Sequence, residues 1–336
     1  MNKPVDMNGR QQPGCYVFSY VNPDTDGVGS ALGYAEWARR VRGETYTPVL
    51  WGVLDAVTRT ALRHFAVQAP TAVAGLPRDC RVVLVDTHHL AQLPACLDPR
   101  QVVEVIDHHP HGDTAALPNA RVQNEAVGAA ATLVAERFDA AGILPSPPVA
   151  GLLASAIVCS TWNLTAPTTS DRDRDVLDSL RAVSEFPAAF AKELMAALDD
   201  APAQDDTSTL LLRHAKRFRF GAEAGGHVVI AQIECSSTTA VTERGDLRDS
   251  ILAMARHEEA DHCFVSVVGL AEGVTVVVCP EPRTRTLLEQ ALHLTFIGDV
   301  ACEHRRLLRK TDYVPRLGSH FGRPDEPGEQ ISWSDA

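Results

Sequence analysis

No two cysteines stand in a CxxC spacing, although the chain holds eight of them in 336 residues. That absence argues against a zinc knuckle or a disulfide framework, and the thiols read as reduced and mostly buried. No apolar run approaches the roughly 20 residues that a membrane-spanning helix needs. The N-terminal stretch MNKPVDMNGRQQPG has no apolar signal-peptide core, so the expected location is the cytoplasm. Positive charge is also in deficit. The formal net charge is -12, with acidic and basic residues interspersed, which argues against nucleic-acid binding driven by charge. A local basic cluster can still hold a small anion. There is no internal repeat.

What the chain does have is apolar content and alternation. Hydrophobic residues make up 45% of it, enough for two domains with real cores. Cys15–Tyr20 reads as a short buried strand and Gly27–Val41 as a helix. RVVLVD (Arg81–Asp86) and VVEVID (Val102–Asp107) read as two further buried strands. NEAVGAAATLVAERFDAAG (Asn124–Gly142) predicts a long amphipathic helix, and SPPVAGLLASAIVCS predicts a buried one that opens on serine and prolines. The expected class is α/β, a mainly parallel sheet with helices on both faces. The pattern turns helical and acidic around Phe186–Asp206, where the domain boundary is placed. Beyond it FRFG, HVVIAQIE, HCFVSVVGL and VTVVVC read as strands, with helices at Arg244–His257 and Thr284–His293, a smaller mixed α/β domain. The stretch after Arg316 is poor in apolar residues and reads as a loose tail.

Three successive strands end in acid: Asp24 and Asp26 in YVNPDTDGVGSAL, then Asp86, then Asp107 followed by His108 and His109. The carboxyl ends of parallel strands share one edge, so these groups meet. Carboxylates brought together repel and raise each other's pKa, and a divalent cation relieves that. Mixed Asp and His ligands suit manganese, iron or cobalt better than calcium or a structural zinc. Taken singly, an aspartate before GVGSAL, such as Asp26, is also what a helix cap looks like.

With these residues in view, the sequence resembles the DHH phosphoesterase superfamily. IDHH (Ile106–His109), NPDTD and the intervening VD carry the likeness. It is nearest to the family II, manganese-dependent inorganic pyrophosphatases, through NPDTDGVGSA, NEAVGAAAT and SAIVCSTWNLTAPTTS (Ser155–Ser170). KRF with AQIE (Lys216–Phe218, Ala231–Glu234) and RKTDYVP (Arg309–Pro315) resemble the DHHA2 domain. The resemblance implies a DHH metal-binding domain at 1–188, a linker region at 189–206, a DHHA2 phosphate-clamp domain at 207–316 and a loose tail at 317–336, with the active cleft between the domains. It implies two divalent metals, with a water between them that attacks phosphorus. Asp24 and Asp26 then correspond to ligands of the first and second metal, Asp86 to the ligand shared by both, and His108 to a ligand of the second. His109 corresponds to a residue that hydrogen-bonds substrate, and Asp107 to a support for the histidines. Lys216, Arg309 and Lys310 correspond to cations that grip phosphate. Arg305 and Arg306 of HRRLLRK read as a solvated face. Asn22, Ser30 and His320 are neighbours without independent support.

Two positions depart from the family's pattern. Tyr20 stands where the family has a metal-ligating histidine, and Ser160 stands where it has a metal-ligating aspartate. His88 and His89, just after Asp86, are candidates to compensate at the first metal, against a reading as surface or supporting histidines. Cys159 could approach the second, against a reading as an inert thiol. The expected function is a metal-dependent phosphohydrolase acting on a phosphoanhydride or phosphoester of a small metabolite, with pyrophosphate as the family default. The expected cofactor is Mn2+, or Co2+ or Mg2+, as one or two ions. The alternative is an altered or inactive DHH protein that binds a phosphorylated ligand without hydrolysing it. A small phosphorylated substrate is the expected partner, with no nucleic acid and no membrane, and a homodimer is allowed.

Overall fold

The computed structural model describes residues 14–110, 112–198, 205–220, 226–321 and 329–331. The chain divides into two compact units, Met1–Leu194 and Met195–Ala336. Among the described residues no helix is long and apolar enough to cross a membrane. The cysteines are all free; Cys80, Cys235, Cys263 and Cys279 are buried, but Cys96 and Cys302 are exposed.

The first unit is built on a six-stranded sheet of order β3-β2-β1-β4-β5-β6. Its strands are β1 (Cys15–Phe18), β2 (Thr47–Leu50), β3 (Thr71–Ala72), β4 (Arg81–Val85), β5 (Val102–Asp107) and β6 (Arg121–Asn124). Every neighbouring pair is parallel, as the run of apolar strands predicts. From β1 the chain first builds outward through β2 and β3, then returns to β4 on the other side of β1. The order therefore reverses between β1 and β4, and ligands in open α/β sheets bind at such a reversal.

The helices of this unit are α1 (Thr25–Trp37), α2 (Ala56–His64), α3 (Ala130–Ala140), α4 (Pro147–Ser160), α5 (Asp171–Ser184) and α6 (Ala188–Ala197). Glu104 of β5 ties α1 and α3 to the sheet. It accepts from the Tyr34 hydroxyl at 2.7 Å, from Arg137 at 2.8 Å and from Arg121 at 2.6 Å. Burial alone would raise its carboxyl, but Arg137, Arg121 and Tyr34 outweigh that and hold it at about 2. The expected helix at Asn124–Gly142 is shorter than its sequence suggests. Asn124 ends β6, the helix begins at Ala130, and its first turns are buried all round rather than amphipathic. The cause lies at Gly128, whose amide donates to Asp173 at 2.8 Å and so holds the preceding segment off the helix axis. A Cβ on Gly128 would stand 2.5 Å from the Thr161 side chain, so only glycine fits.

The second unit carries a seven-stranded mixed sheet of order β11-β12-β10-β9-β8-β7-β13. The four expected strands are β7 (Ala215–Arg219), β8 (His227–Cys235), β9 (His262–Gly269) and β10 (Val274–Val278). Three more were not legible in the sequence: β11 (Phe296–Ile297), β12 (Val300–Glu303) and β13 (Glu329–Ile331). Cores form around Ile230, Phe264 and Tyr313, and around Val229, Val265 and Ile251. The expected loose tail is corrected in part. Leu317–His320 belongs to the helix Val314–His320, and β13 pairs antiparallel with β7. The rest of the tail lies outside the described residues.

Candidate functional site

The edge at the β1/β4 reversal gathers the acids. Asp24, in the turn after β1, caps α1, its Oδ1 accepting from the amides of Asp26 at 2.9 Å and Gly27 at 3.1 Å. The cap role thus falls on Asp24 and not on Asp26, which occupies the first turn of α1 and is 1% exposed. A Cβ on Gly27 would stand 2.5 Å from the Ser19 hydroxyl, so glycine is what lets α1 start this close to the end of β1. Asp26 receives the Ser30 hydroxyl at 3.1 Å and the amide of Ala131 at 2.9 Å on Oδ1, and the amide of Ala130 at 2.8 Å on Oδ2. Those amides open α3, whose positive end favours a carboxylate there.

Asp86 follows β4 directly. It is 2% exposed and has φ 58, the left-handed region, while its amide donates to Ile106 O at 2.8 Å. Such a conformation in a non-glycine residue costs on the order of 1–3 kcal/mol and persists where surrounding structure holds it.

Asp107 ends β5 and organises the pair of histidines after it. Its Oδ1 accepts from the His108 amide at 2.7 Å, the His109 amide at 3.2 Å and His109 Nδ1 at 2.6 Å, and its Oδ2 meets His88 Nδ1. Burial raises its carboxyl, but His109 and then His88 overcome that and hold it well below the usual carboxylate range. His108 Nδ1 bonds Val127 O at 2.9 Å, which makes it the donating nitrogen and leaves the lone pair on Nε2. That Nε2 stands 3.2 Å from Asp86 Oδ1 and 3.8 Å from Asp26 Oδ2.

Metal-capable atoms of Asp86, Asp107, His108 and His109 lie within 4.8 Å of one another. Asp107 is saturated by its own histidines and amides, so Asp86, Asp26 and His108 Nε2 are the better donor set. Two buried carboxylates facing an imidazole lone pair fit a divalent transition ion. Burial, then Asp86, with Asp24 adding, pushes the carboxyl of Asp26 up to about 8 from its ordinary 3.8. A folded pKa above the unfolded one gives stability that is full below about pH 4 and is lost as pH rises through about 8. The metal-free chain is therefore expected to melt lower at pH 8 than at pH 5.5, with the gap between chelated and Mn2+-loaded protein widening over that range. Melting curves in chelator and in Mn2+ measure it; a gap independent of pH would sink the assignment of Asp26.

Around this core the candidates separate. Ser160 Oγ reaches Asp26 Oδ2 at 3.4 Å, and the Tyr20 hydroxyl accepts from the Asp24 amide at 3.3 Å, so both departures from the family pattern sit beside acids of the site. His88 is buried against Asp107 rather than on the surface. The His89 ring lies 6.2 Å from that of His109. Cys159 is half-buried, and burial followed by Asp55 pushes its thiol far up, so it stays protonated near neutral pH. Asn22 braces the neighbouring turn, its Oδ1 accepting from Val53 N at 2.9 Å.

In the second unit, Lys216 of β7 pairs with Ile230 of β8. Arg309 donates to Ile230 O at 3.1 Å and to His214 O at 2.9 Å, and its amide donates to Gln232 at 2.6 Å, which brings KRF, AQIE and RKTDYVP together. Lys310 is exposed. Arg305 is exposed beside Glu303, but Arg306 is half-buried and donates to Leu270 O at 2.6 Å, so it is not part of a solvated face. His320 ends the helix Val314–His320 and is exposed.

Sequence reasoning missed Asp173, whose Oδ1 takes the Thr132 hydroxyl at 2.6 Å while Oδ2 takes the Gly128 amide at 2.8 Å and the Ser170 hydroxyl at 2.7 Å. It anchors the segment that presents Val127 O and the α3 amides. Ser170 and Asp173 form a capping box, and their spacing was the available signal.

Residues 15–157, within the first unit, match the profile described as "DHH family, N-terminal domain". The likeness to manganese-dependent inorganic pyrophosphatases then extends over nearly the whole chain. The protein of that name from Methanothrix thermoacetophila is 28% identical over 91% of this chain and 98% of its own. A probable one from Bacillus licheniformis is 29% identical over 90% and 96%. The crystal structure of a putative family II inorganic pyrophosphatase from Methanococcus jannaschii superposes with a TM-score of 0.78, at 24% identity, over 91% of this chain and 99% of that one. The α/β fold expected from sequence is the fold of that protein.

Proposed function

We propose that the protein is a metal-dependent phosphohydrolase of small phosphorylated compounds, with inorganic pyrophosphate as the first substrate to test. The observation that carries this reading is the convergence of His108 Nε2, its tautomer set by Val127 O, on Asp86 at 3.2 Å and Asp26 at 3.8 Å. The names of the relatives support manganese as the ion. A divalent cation held there supplies charge to phosphate oxygens and lowers the pKa of a bound water.

The chain's own residues do the rest. Asp24, Asp26, Asp86 and His108 hold metal. Asp107 fixes the ring of His109 through Nδ1, and His109 is the residue assigned to hydrogen-bond substrate. Lys216, Arg309 and Lys310, in the second unit, are the cations that the family resemblance assigns to a phosphate. Arg309 is held by two backbone carbonyls through one nitrogen, which restrains its guanidinium.

The test is phosphate release from pyrophosphate by purified protein, in Mn2+ and again in excess chelator. Turnover that chelator abolishes supports the reading. Metal-independent turnover refutes it. Folded, metal-loaded protein that binds pyrophosphate without releasing phosphate would establish the alternative, a binding protein.

A further inference from the structure

His108 meets a carboxylate through a single peptide group. Its Nδ1 donates to Val127 O at 2.9 Å, and the amide of that same peptide unit, Gly128 N, donates to Asp173 Oδ2 at 2.8 Å. In a trans peptide the C=O and the N–H point in opposite directions, so the two hydrogen bonds extend one line from ring to peptide to carboxylate. Val127, Gly128 and Asp173 are all buried, Asp173 completely. Hydrogen bonds joined in series in such a place polarise one another. Negative charge at Asp173 draws on the Gly128 proton, and the peptide resonance passes electron density to Val127 O. The ring that donates to that oxygen becomes a better electron donor at Nε2. Metal-binding histidines commonly back directly onto a carboxylate or carbonyl, and losing such a partner weakens metal binding about 10–100-fold. Here one peptide group is interposed between the two.

The local sequence serves this contact. A Cβ on Gly128 would stand 2.9 Å from Asp173 Oδ2, so glycine lets the carboxylate close on the amide. Asp173 is the third residue of α5, where the positive end of the helix favours a negative group. Its Oδ2 also takes the Ser170 amide and hydroxyl, each at 2.7 Å, while Oδ1 takes the Thr132 hydroxyl at 2.6 Å. Thr132 lies in the first turn of α3, whose opening amides hold Asp26.

We infer that Asp173 is a positioning residue of the metal site, fixing His108 with Nε2 free to ligate and strengthening that nitrogen through the Val127–Gly128 peptide. The inference rests on the metal-dependent reading of the site.

The probe is Asp173→Asn. Its amide oxygen keeps the Gly128 and Ser170 bonds and its nitrogen donates to Thr132 Oγ1, so the charge is lost and the packing stays. Mn2+ equilibrium dialysis of the chelator-stripped full-length chain is expected to show about 10-fold weaker binding than the unmodified chain. Thr132→Val, which removes a hydrogen bond from Asp173 but not its charge, should unfold at lower urea yet bind Mn2+ normally. A folded Asp173→Asn chain with unchanged affinity overturns the inference and leaves the proposed function standing. An equal loss of affinity in Thr132→Val does the same, since Asp173 would then act by packing alone. No Mn2+ bound by the unmodified chain overturns both. Nitrogen NMR of the metal-free unmodified chain, at a pH where the ring is neutral, gives a reading that no variant's folding affects. A proton on His108 Nδ1 is expected, and one on Nε2 overturns the inference.

Discussion

Replacing Asp86 with asparagine is expected to lower Mn2+-dependent phosphate release by more than about 100-fold, since changes merely behind a metal ligand already cost about 10–100-fold. The variant should fold. Asp86 sits at φ 58, and asparagine tolerates the left-handed region about as well as aspartate does. Its amide still donates to Ile106 O. What changes is one negative charge 3.2 Å from His108 Nε2. Asp86→Ala would add strain at the same backbone position and confuse a folding loss with a chemical one. Circular dichroism checks the fold, and kcat/KM at saturating Mn2+ checks the effect. A folded Asp86→Asn chain with near-normal turnover would remove Asp86 from the machinery, and with it the proposed site.

The second large effect is on stability. Asp107→Ala is expected to destabilise the chain by about 3–5 kcal/mol, the range for removing one partner from a buried charged cluster. Asp107 is fully buried, and its loss strands the amides of His108 and His109 together with the Nδ1 nitrogens of His88 and His109. Each buried donor left without an acceptor carries its own desolvation cost. Urea unfolding at neutral pH in chelator reads the effect without metal linkage. A loss below about 1 kcal/mol would mean that water replaces the carboxylate, and that Asp107 does not hold the histidines in place.

Some of this was written in the chain. Strands that end in Asp86 and Asp107, and one that leads to Asp24 and Asp26, place acids at one edge as soon as the sheet is parallel, and apolar runs joined by helices make it parallel. The residue types of the site and the order of the units were legible for the same reason: periodicity and carboxylate placement are local properties. The assignment of roles among the acids was not. Asp24 and Asp26 stand two apart in one motif, yet one caps α1 and the other takes the amides of Ala130 and Ala131 across the fold. Backbone amides and carbonyls leave no mark in a sequence, so neither those contacts nor Val127 O on His108 could be read from it.

His88 shows the same limit. Its neighbours in the chain left a metal ligand, a surface residue and a supporting residue open, and folding set it against Asp107 from the next strand. The short strands β11, β12 and β13 were missed because strands of two to four residues exist through their pairing partners, not through their own pattern. Sequence alone thus determined which groups this protein brings to the sheet edge. Tertiary structure decided which donors each of them meets, because only packing fixes where a buried charge finds its partners.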